Sequence, residues 1–240
     1  MTMVRPLVRG LLLRSGSWFN SKFIMDKCHR QSYETGVYWP QKTAMLNKTF
    51  WEHRYANDQT GWDLGAVSPP IKAYVDHLQD KNAPVLIPGC GHGYEAEYML
   101  EQGFSDVTVV DIAALPLERL RSRVGDRSGL KTIQSNFFDH QGQYQLILEQ
   151  TFFCALDPAL RQDYMQHMHS LLKPGGHLAG VLFNVEFEKE GPPFGGEESD
   201  YRKLMKPWFH LLLMEPCENS VQPRMNTELF FVAEARSDAH

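Results

Sequence analysis

From Phe50 onward, short apolar runs alternate with stretches whose apolar residues recur every three or four positions. The first pattern fits strands buried on both faces, and the second fits helices with one buried side. Their alternation predicts a parallel sheet with helices on both faces. Ser68 before Pro69 and Pro70 reads as an N-cap and first turn, after which Ile71, Tyr74, Val75 and Leu78 share one stripe. Residues 83–88 (APVLIP) predict the first strand, 94–102 a helix stopped by Gly103, 106–111 (DVTVVD) the second strand and 115–124 a helix. The third strand falls within 130–138 and the fourth at 144–149. Asp157-Pro158 caps a helix running to Leu172, and Lys173-Pro174-Gly175-Gly176 ends it. A fifth strand spans 177–184, a glycine- and proline-rich loop 186–198 and a short helix 199–206. Strands at 208–214 and 227–235 would close the chain as a hairpin at one sheet edge. The whole predicts an α/β, Rossmann-like fold: a seven-stranded, mostly parallel sheet with helices on both faces.

The chain's first 44 residues break this pattern. Residues 1–25 carry Arg5, Arg9, Arg14 and Lys22 with Ser15, Ser17 and Ser21 and no acid, the composition of an organellar presequence. A targeting peptide, an irregular native arm, and sequence upstream of a true start at Met45 all fit. The last is preferred, because the domain-like pattern begins just after Met45. The domain proper is therefore set at residues 45–240, and 1–44 as an arm.

Composition narrows the partners. A net charge of -5 gives no general attraction to nucleic acid or anionic membrane. The longest apolar runs, around Leu11 and Leu211, are far too short for a membrane span. Cys28, Cys90, Cys154 and Cys217 form no C-x-x-C pair, so neither zinc nor a disulfide framework is indicated. A cytoplasmic monomer acting on a small molecule is expected, with organellar import the alternative if the arm is a genuine presequence.

The chemistry gathers where the first strand ends. Ile87-Pro88-Gly89-Cys90-Gly91-His92-Gly93-Tyr94 leads a buried strand into a helix through three alternating glycines. Such glycines allow a sharp turn and close approach of a ligand. The dinucleotide fingerprint would need glycine where Tyr94 stands, so the loop points to a nucleoside without a pyrophosphate, such as S-adenosylmethionine. Asp111 ends the second strand, where an acid accepts hydrogen bonds from both ribose hydroxyls. Asn136-Phe137 would lie beside the adenine, and Gln150, leaving the fourth strand, would face the sulfonium. Phe137, Phe138, Phe152 and Phe153 equally suit core packing. Cys90 reads as a tightly packed loop residue rather than a nucleophile, and Arg202 and Arg224 as solvated.

Ile87-Pro88-Gly89-Cys90-Gly91 with Gly93-Tyr94 resembles the thiopurine S-methyltransferase family, which includes the plant-type halide/thiol enzymes and many bacterial relatives. Three further stretches match: Phe50-Trp51-Glu52 with Gly61-Trp62-Asp63-Leu64-Gly65, Glu149 to Ala155, and Gly191-Pro192-Pro193-Phe194 with Asp200-Tyr201. The last two are closest to the halide/thiol branch, and the resemblance covers roughly residues 46–236. It implies a class I methyltransferase fold and a lid in which Trp51 and Trp62 cover the methionine end. Aromatic faces suit a sulfonium as they suit other cations. Gln150 and Asn136 depart from the family's usual tyrosine and acid.

The resemblance implies methyl transfer to a thiol, thiopurine, hydrosulfide, thiocyanate or halide. Gly89, Cys90, Gly91, Asp111, Asn136, Phe137, Gln150, Trp51 and Trp62 would hold the cofactor. Phe152, Phe153, Phe194 and Tyr201 would line the acceptor pocket, Tyr201 offering a hydrogen bond. No catalytic base is assigned, because a soft anion needs none, and no metal, because the cysteine spacing indicates none. Two other readings stay open: an oxygen or nitrogen acceptor using His92 or His140 as base, and a non-catalytic cofactor-binding module.

Overall fold

Strands β1 (Val85–Pro88) and β2 (Val107–Asp111) are buried at every position, as central strands of a sheet covered on both sides must be. The computed structural model describes residues 46–237, and the arm expected over 1–44 lies outside them. The other strands are β3 (Leu130–Gln134), β4 (Tyr144–Gln150), β5 (Leu172–Phe183), β6 (Phe209–Pro216) and β7 (Glu228–Ala235). They form one seven-stranded sheet in the order β3-β2-β1-β4-β5-β7-β6. The first five are parallel, and β7 runs antiparallel to both its neighbours. The strand order turns back between β1 and β4, so their carboxyl ends open a crevice there.

Helices α1 (Lys48–Ala56), α2 (Pro69–His77), α3 (Tyr94–Glu101), α4 (Ala114–Val124), α5 (Arg161–Leu171) and α6 (Glu198–Met205) complete the architecture. Two cores result. Ile71, Val75, Met99, Leu117 and Leu120 of α2, α3 and α4 pack on one face of the sheet. Tyr164, Met165, Met168, Tyr201 and Met205 of α5 and α6 pack on the other. Among the described residues no helix is long and apolar enough to cross a membrane.

The expected elements are present, with three departures. Helix α1 was not anticipated, since Tyr55 is its one buried residue and a single anchor leaves no stripe. Its N-terminus is fixed by Asn47, whose side chain accepts from the Phe50 N–H at 3.0 Å. The Pro174-Gly175-Gly176 stop is a bulge rather than a loop. Pairing jumps from Tyr144↔Leu172 to Leu146↔His177, so Leu172 already belongs to β5. Asp157 caps a short 3-10 turn, accepting from Ala159 N–H at 2.9 Å, and α5 starts only after it.

Candidate functional site

Pro88 has no N–H to extend the ladder, and the chain leaves β1 through Gly89, Gly91 and Gly93 at φ of +55°, +53° and +71°. All three lie in the left-handed region, the sharp turn expected of this loop. Gly91 N–H donates to Asp111 Oδ2 at 3.0 Å and Ala113 N–H to Oδ1 at 2.9 Å. One carboxylate thus ties the glycine loop to the end of β2. Burial pushes the Asp111 carboxyl up to about 6, against the pull of these backbone donors. A carboxylate has about four lone-pair sites, so the Gly91 and Ala113 amides, with the Ile112 N–H also acting on it, still leave room for a hydroxyl donor. That donor balance fits a ribose.

The exit of β4 is built around Glu149, which is fully buried. Its Oε1 accepts from Phe152 N–H at 2.8 Å and Phe153 N–H at 2.9 Å, while the Tyr164 hydroxyl donates to Oε2. These bonds hold Thr151 at φ +58°, unusual for a β-branched residue. The turn lays the Phe152 ring on Gly89, where an added Cβ would stand 2.1 Å from Phe152 Cδ2. Phe137 meets the same ring edge-on at 5.2 Å.

Burial also pushes Glu149 up to about 7, from an ordinary 4.5. The folded state therefore binds this proton more tightly than the unfolded chain. The resulting stability is complete below pH 4.5 and is lost as pH rises through 7. Thermal melts of wild type and Glu149→Gln between those limits test this. Wild type should lose ground steadily against the variant, by on the order of 3 kcal/mol overall. A pH-independent difference would mean that Glu149 is not the titrating group.

The segment before α2 folds onto the glycine loop. Tyr55 is buried, its hydroxyl 3.2 Å from where a Cβ on Gly91 would stand. Trp62 sits edge-on to Trp51 at 5.6 Å and to Tyr55 at 5.8 Å. Two polar latches hold this cluster. His92 Nδ1 lies 2.7 Å from Asp63 Oδ2, and Arg224 donates to the Trp62 carbonyl at 2.7 Å. Ser68 does not cap α2 with its side chain. Its hydroxyl donates instead to Gln150 Oε1 at 2.9 Å, joining this segment to the end of β4.

The structure thus brings Trp51, Trp62, Gly89, Cys90, Gly91, Asp111, Gln150 and Phe152 to the carboxyl edge of the sheet. Cys90 is buried with its thiol toward the Gly91 carbonyl at 3.6 Å, and burial raises its pKa, as suits a packing residue. Phe194 joins the edge through its N–H, which donates to Cys154 O at 2.7 Å. Asn136 is exposed and caps the 3-10 turn of 137–139, accepting from Phe138 N–H at 3.2 Å. Phe137 and Phe153 are core residues, at 4% and 1% exposure.

Two expectations are corrected. Tyr201 does not hold its hydroxyl proton out to an acceptor: it is buried and donates to the Phe183 carbonyl at 2.6 Å beneath the loop, because a buried phenol needs a partner. Arg224 is not solvated but has an 11% exposed side chain, paired with buried Glu228 at 3.4 Å. Tyr55, Asp63, Ser68, Glu95 and Arg224 were not assigned to the site from the sequence. Only Tyr55, four positions after Trp51 on one helical face, left a signal there. An open cavity of about 580 Å³ lies elsewhere, between the residues following β3 and the end of α5. None of the cofactor-edge residues lines it, so residue chemistry rather than volume identifies the site.

A doubly covered parallel sheet, a left-handed glycine turn and an acid tied across β2 define a class I S-adenosylmethionine-dependent methyltransferase. The Burkholderia thailandensis 1,6-didemethyltoxoflavin-N1-methyltransferase, solved with S-adenosylhomocysteine bound, has this fold. It matches at a TM-score of 0.66 and 20% identity, over 85% of this chain and 94% of its own. The chain belongs to the thiopurine S-methyltransferase family, whose model matches residues 46–236. It is 32% identical over 184 residues to probable thiol methyltransferase 2 of Arabidopsis thaliana, covering 74% of this chain and 81% of the relative. It is 28% identical over 185 residues to thiocyanate methyltransferase 1 of Brassica oleracea, with the same two coverages.

Proposed function

We propose that this enzyme methylates a small soft nucleophile: a thiol, thiopurine, hydrosulfide, thiocyanate or halide. When bound, S-adenosylmethionine supplies a sulfonium methyl open to in-line displacement. Asp111 holds the ribose, the glycine loop with Cys90 carries the methionyl end, and Asn136 and Phe137 border the adenine. Trp51 and Trp62 cover the cofactor, keep water out and turn π faces toward the cation. Gln150 faces the sulfonium, and Phe152 and Phe194 face the acceptor, with Phe153 and Tyr201 supporting them from below.

One observation carries the acceptor reading: the acid and thiol at the β4 exit, and the two histidines that a base-assisted reaction would call on, are already engaged. Three donors occupy Glu149. Cys154 donates to the Thr151 carbonyl at 3.3 Å, and burial pushes its thiol up. His92 spends one ring nitrogen on Asp63 and has Arg119 at 3.3 Å from the other. His140 is bonded to the Tyr144 hydroxyl at 2.8 Å. An acceptor that arrives as an anion needs no base. For it, alignment of nucleophile and methyl supplies the rate.

In this reading the activity belongs to residues 45–240, and residues 1–44 add nothing to it. The enzyme works as a cytoplasmic monomer; Cys90, Cys154 and Cys217 are buried free thiols, as a reducing compartment allows. The test is a panel of iodide, thiocyanate, hydrosulfide and aromatic thiols with labelled cofactor. Methylated product is expected from at least one. Turnover on catechols or amines and on none of the panel would overturn the proposal in favour of a base-assisted reaction.

A further inference from the structure

Four carboxylates are buried among the described residues: Glu95, Asp111, Glu149 and Glu228. Buried charge is costly unless paired, so each should have a partner. Glu149 has the Tyr164 hydroxyl and two amides, and Glu228 has Arg224. Asp111 and Glu95 are served by backbone N–H groups alone. For Glu95 these are its own N–H and that of Ser68, the latter at a long 3.3 Å. No lysine, arginine or histidine among the described residues forms an ion pair with it. The two under-served acids flank the glycine loop.

Their places differ in a useful way. Asp111 ends β2, on one side of the loop. Glu95 lies in the first turn of α3, and helical side chains lean toward the N-terminus, so its carboxylate returns to the carboxyl edge of the sheet. There it meets Ser68, whose hydroxyl holds Gln150 at the end of β4. The chain Glu95–Ser68–Gln150 therefore crosses the crevice between β1 and β4. A cofactor whose ribose sits on Asp111 directs its amino-acid end to that crevice.

Resting on the cofactor reading above, the geometry points to Glu95 as the residue that receives the α-ammonium of the methionyl end. Arg224, the cation that acts on Glu95 from a distance, is committed to Glu228 and the Trp62 carbonyl. The ligand's ammonium is then the missing counter-charge. Burial holds the Glu95 carboxyl above its ordinary range, and an incoming cation would draw it back down. Ser68 and Gln150 are positioning residues that keep the acid at the crevice.

A double-mutant cycle on the full chain tests this, with ligand amine and protein acid as its two sides. The probes are S-adenosylhomocysteine and its deaminated analogue, in which hydrogen replaces the α-amine. Calorimetry should show wild type preferring the amine-bearing ligand by roughly tenfold or more, the scale of a hydrogen bond between charged groups. Glu95→Gln should bind the two equally while melting as a folded protein. If it melts poorly, Glu95→Asp keeps the charge and should keep part of the preference. Retention of the full wild-type preference by Glu95→Gln, or equal losses for both ligands, would overturn the inference. Failure of wild type to bind S-adenosylhomocysteine would instead sink the cofactor reading itself.

Discussion

Asp111→Ala should weaken S-adenosylhomocysteine binding by about tenfold to a hundredfold, the scale of two lost hydrogen bonds to a charged acceptor. The residue performs two tasks with one group. Its oxygens hold Gly91 and Ala113 through their N–H groups, which fixes the turn, and in the proposed reading their remaining lone pairs accept from the ribose. Truncation leaves both amides without acceptors, at roughly 1–3 kcal/mol for each buried donor. Part of that loss is returned, because the carboxylate is itself strained by burial. Its folded pKa of about 6 lies above the ordinary 3.8, so its stabilising contribution is complete below 3.8 and lost as pH rises through 6. The melting penalty of the variant should thus be larger at acid pH than at neutral pH. Calorimetry and melts together check both tasks. Wild-type affinity in Asp111→Ala would remove the ribose contact from this site.

Gly89→Ala is the second large effect. An alanine Cβ would stand 2.1 Å from Phe152 Cδ2 and 2.5 Å from its Cγ, so the ring must leave. The residue also sits at φ +55°, where an L side chain costs about 1–2 kcal/mol. With the overpacking, the total expected loss is roughly 2–5 kcal/mol. If Phe152 lines the acceptor pocket as proposed, activity should also fall in the fraction that stays folded, because the ring is displaced. Gly103→Ala is the matched control. It shares a positive φ, +87°, but nothing lies within 4 Å of its added Cβ, so it should cost only the backbone share. Equal melting losses for the two variants would show that contact between Gly89 and Phe152 matters little.

The halves of the site were unequally legible in the sequence. The glycine loop and Asp111 stood out because strand, turn and helix follow one another along the chain, and their spacing is fixed by local geometry. The proposed acceptor side draws on side chains from β4's exit, the 186–197 loop and α6, far apart in sequence. Tyr201 shows the limit. A tyrosine near a glycine-rich loop looks the same on paper whether its hydroxyl meets a substrate or, as here, the carbonyl of Phe183. Arg224 shows it from the other direction: no local pattern says that an arginine between two turns will hold Trp62's carbonyl 162 residues earlier.

From α2 onward the sequence by itself determined the order of strands and helices, the turn after β1 and the acid that ends β2. Periodicity, glycine conformation and short-range spacing are properties of neighbouring residues. Tertiary structure alone decided which buried carboxylates are satisfied and which are left facing the crevice. It also decided that Phe152 lies on Gly89, and that His92 and Arg224 latch the aromatic segment. Those outcomes depend on desolvation and on partners brought together only when distant segments pack, and no local pattern encodes them.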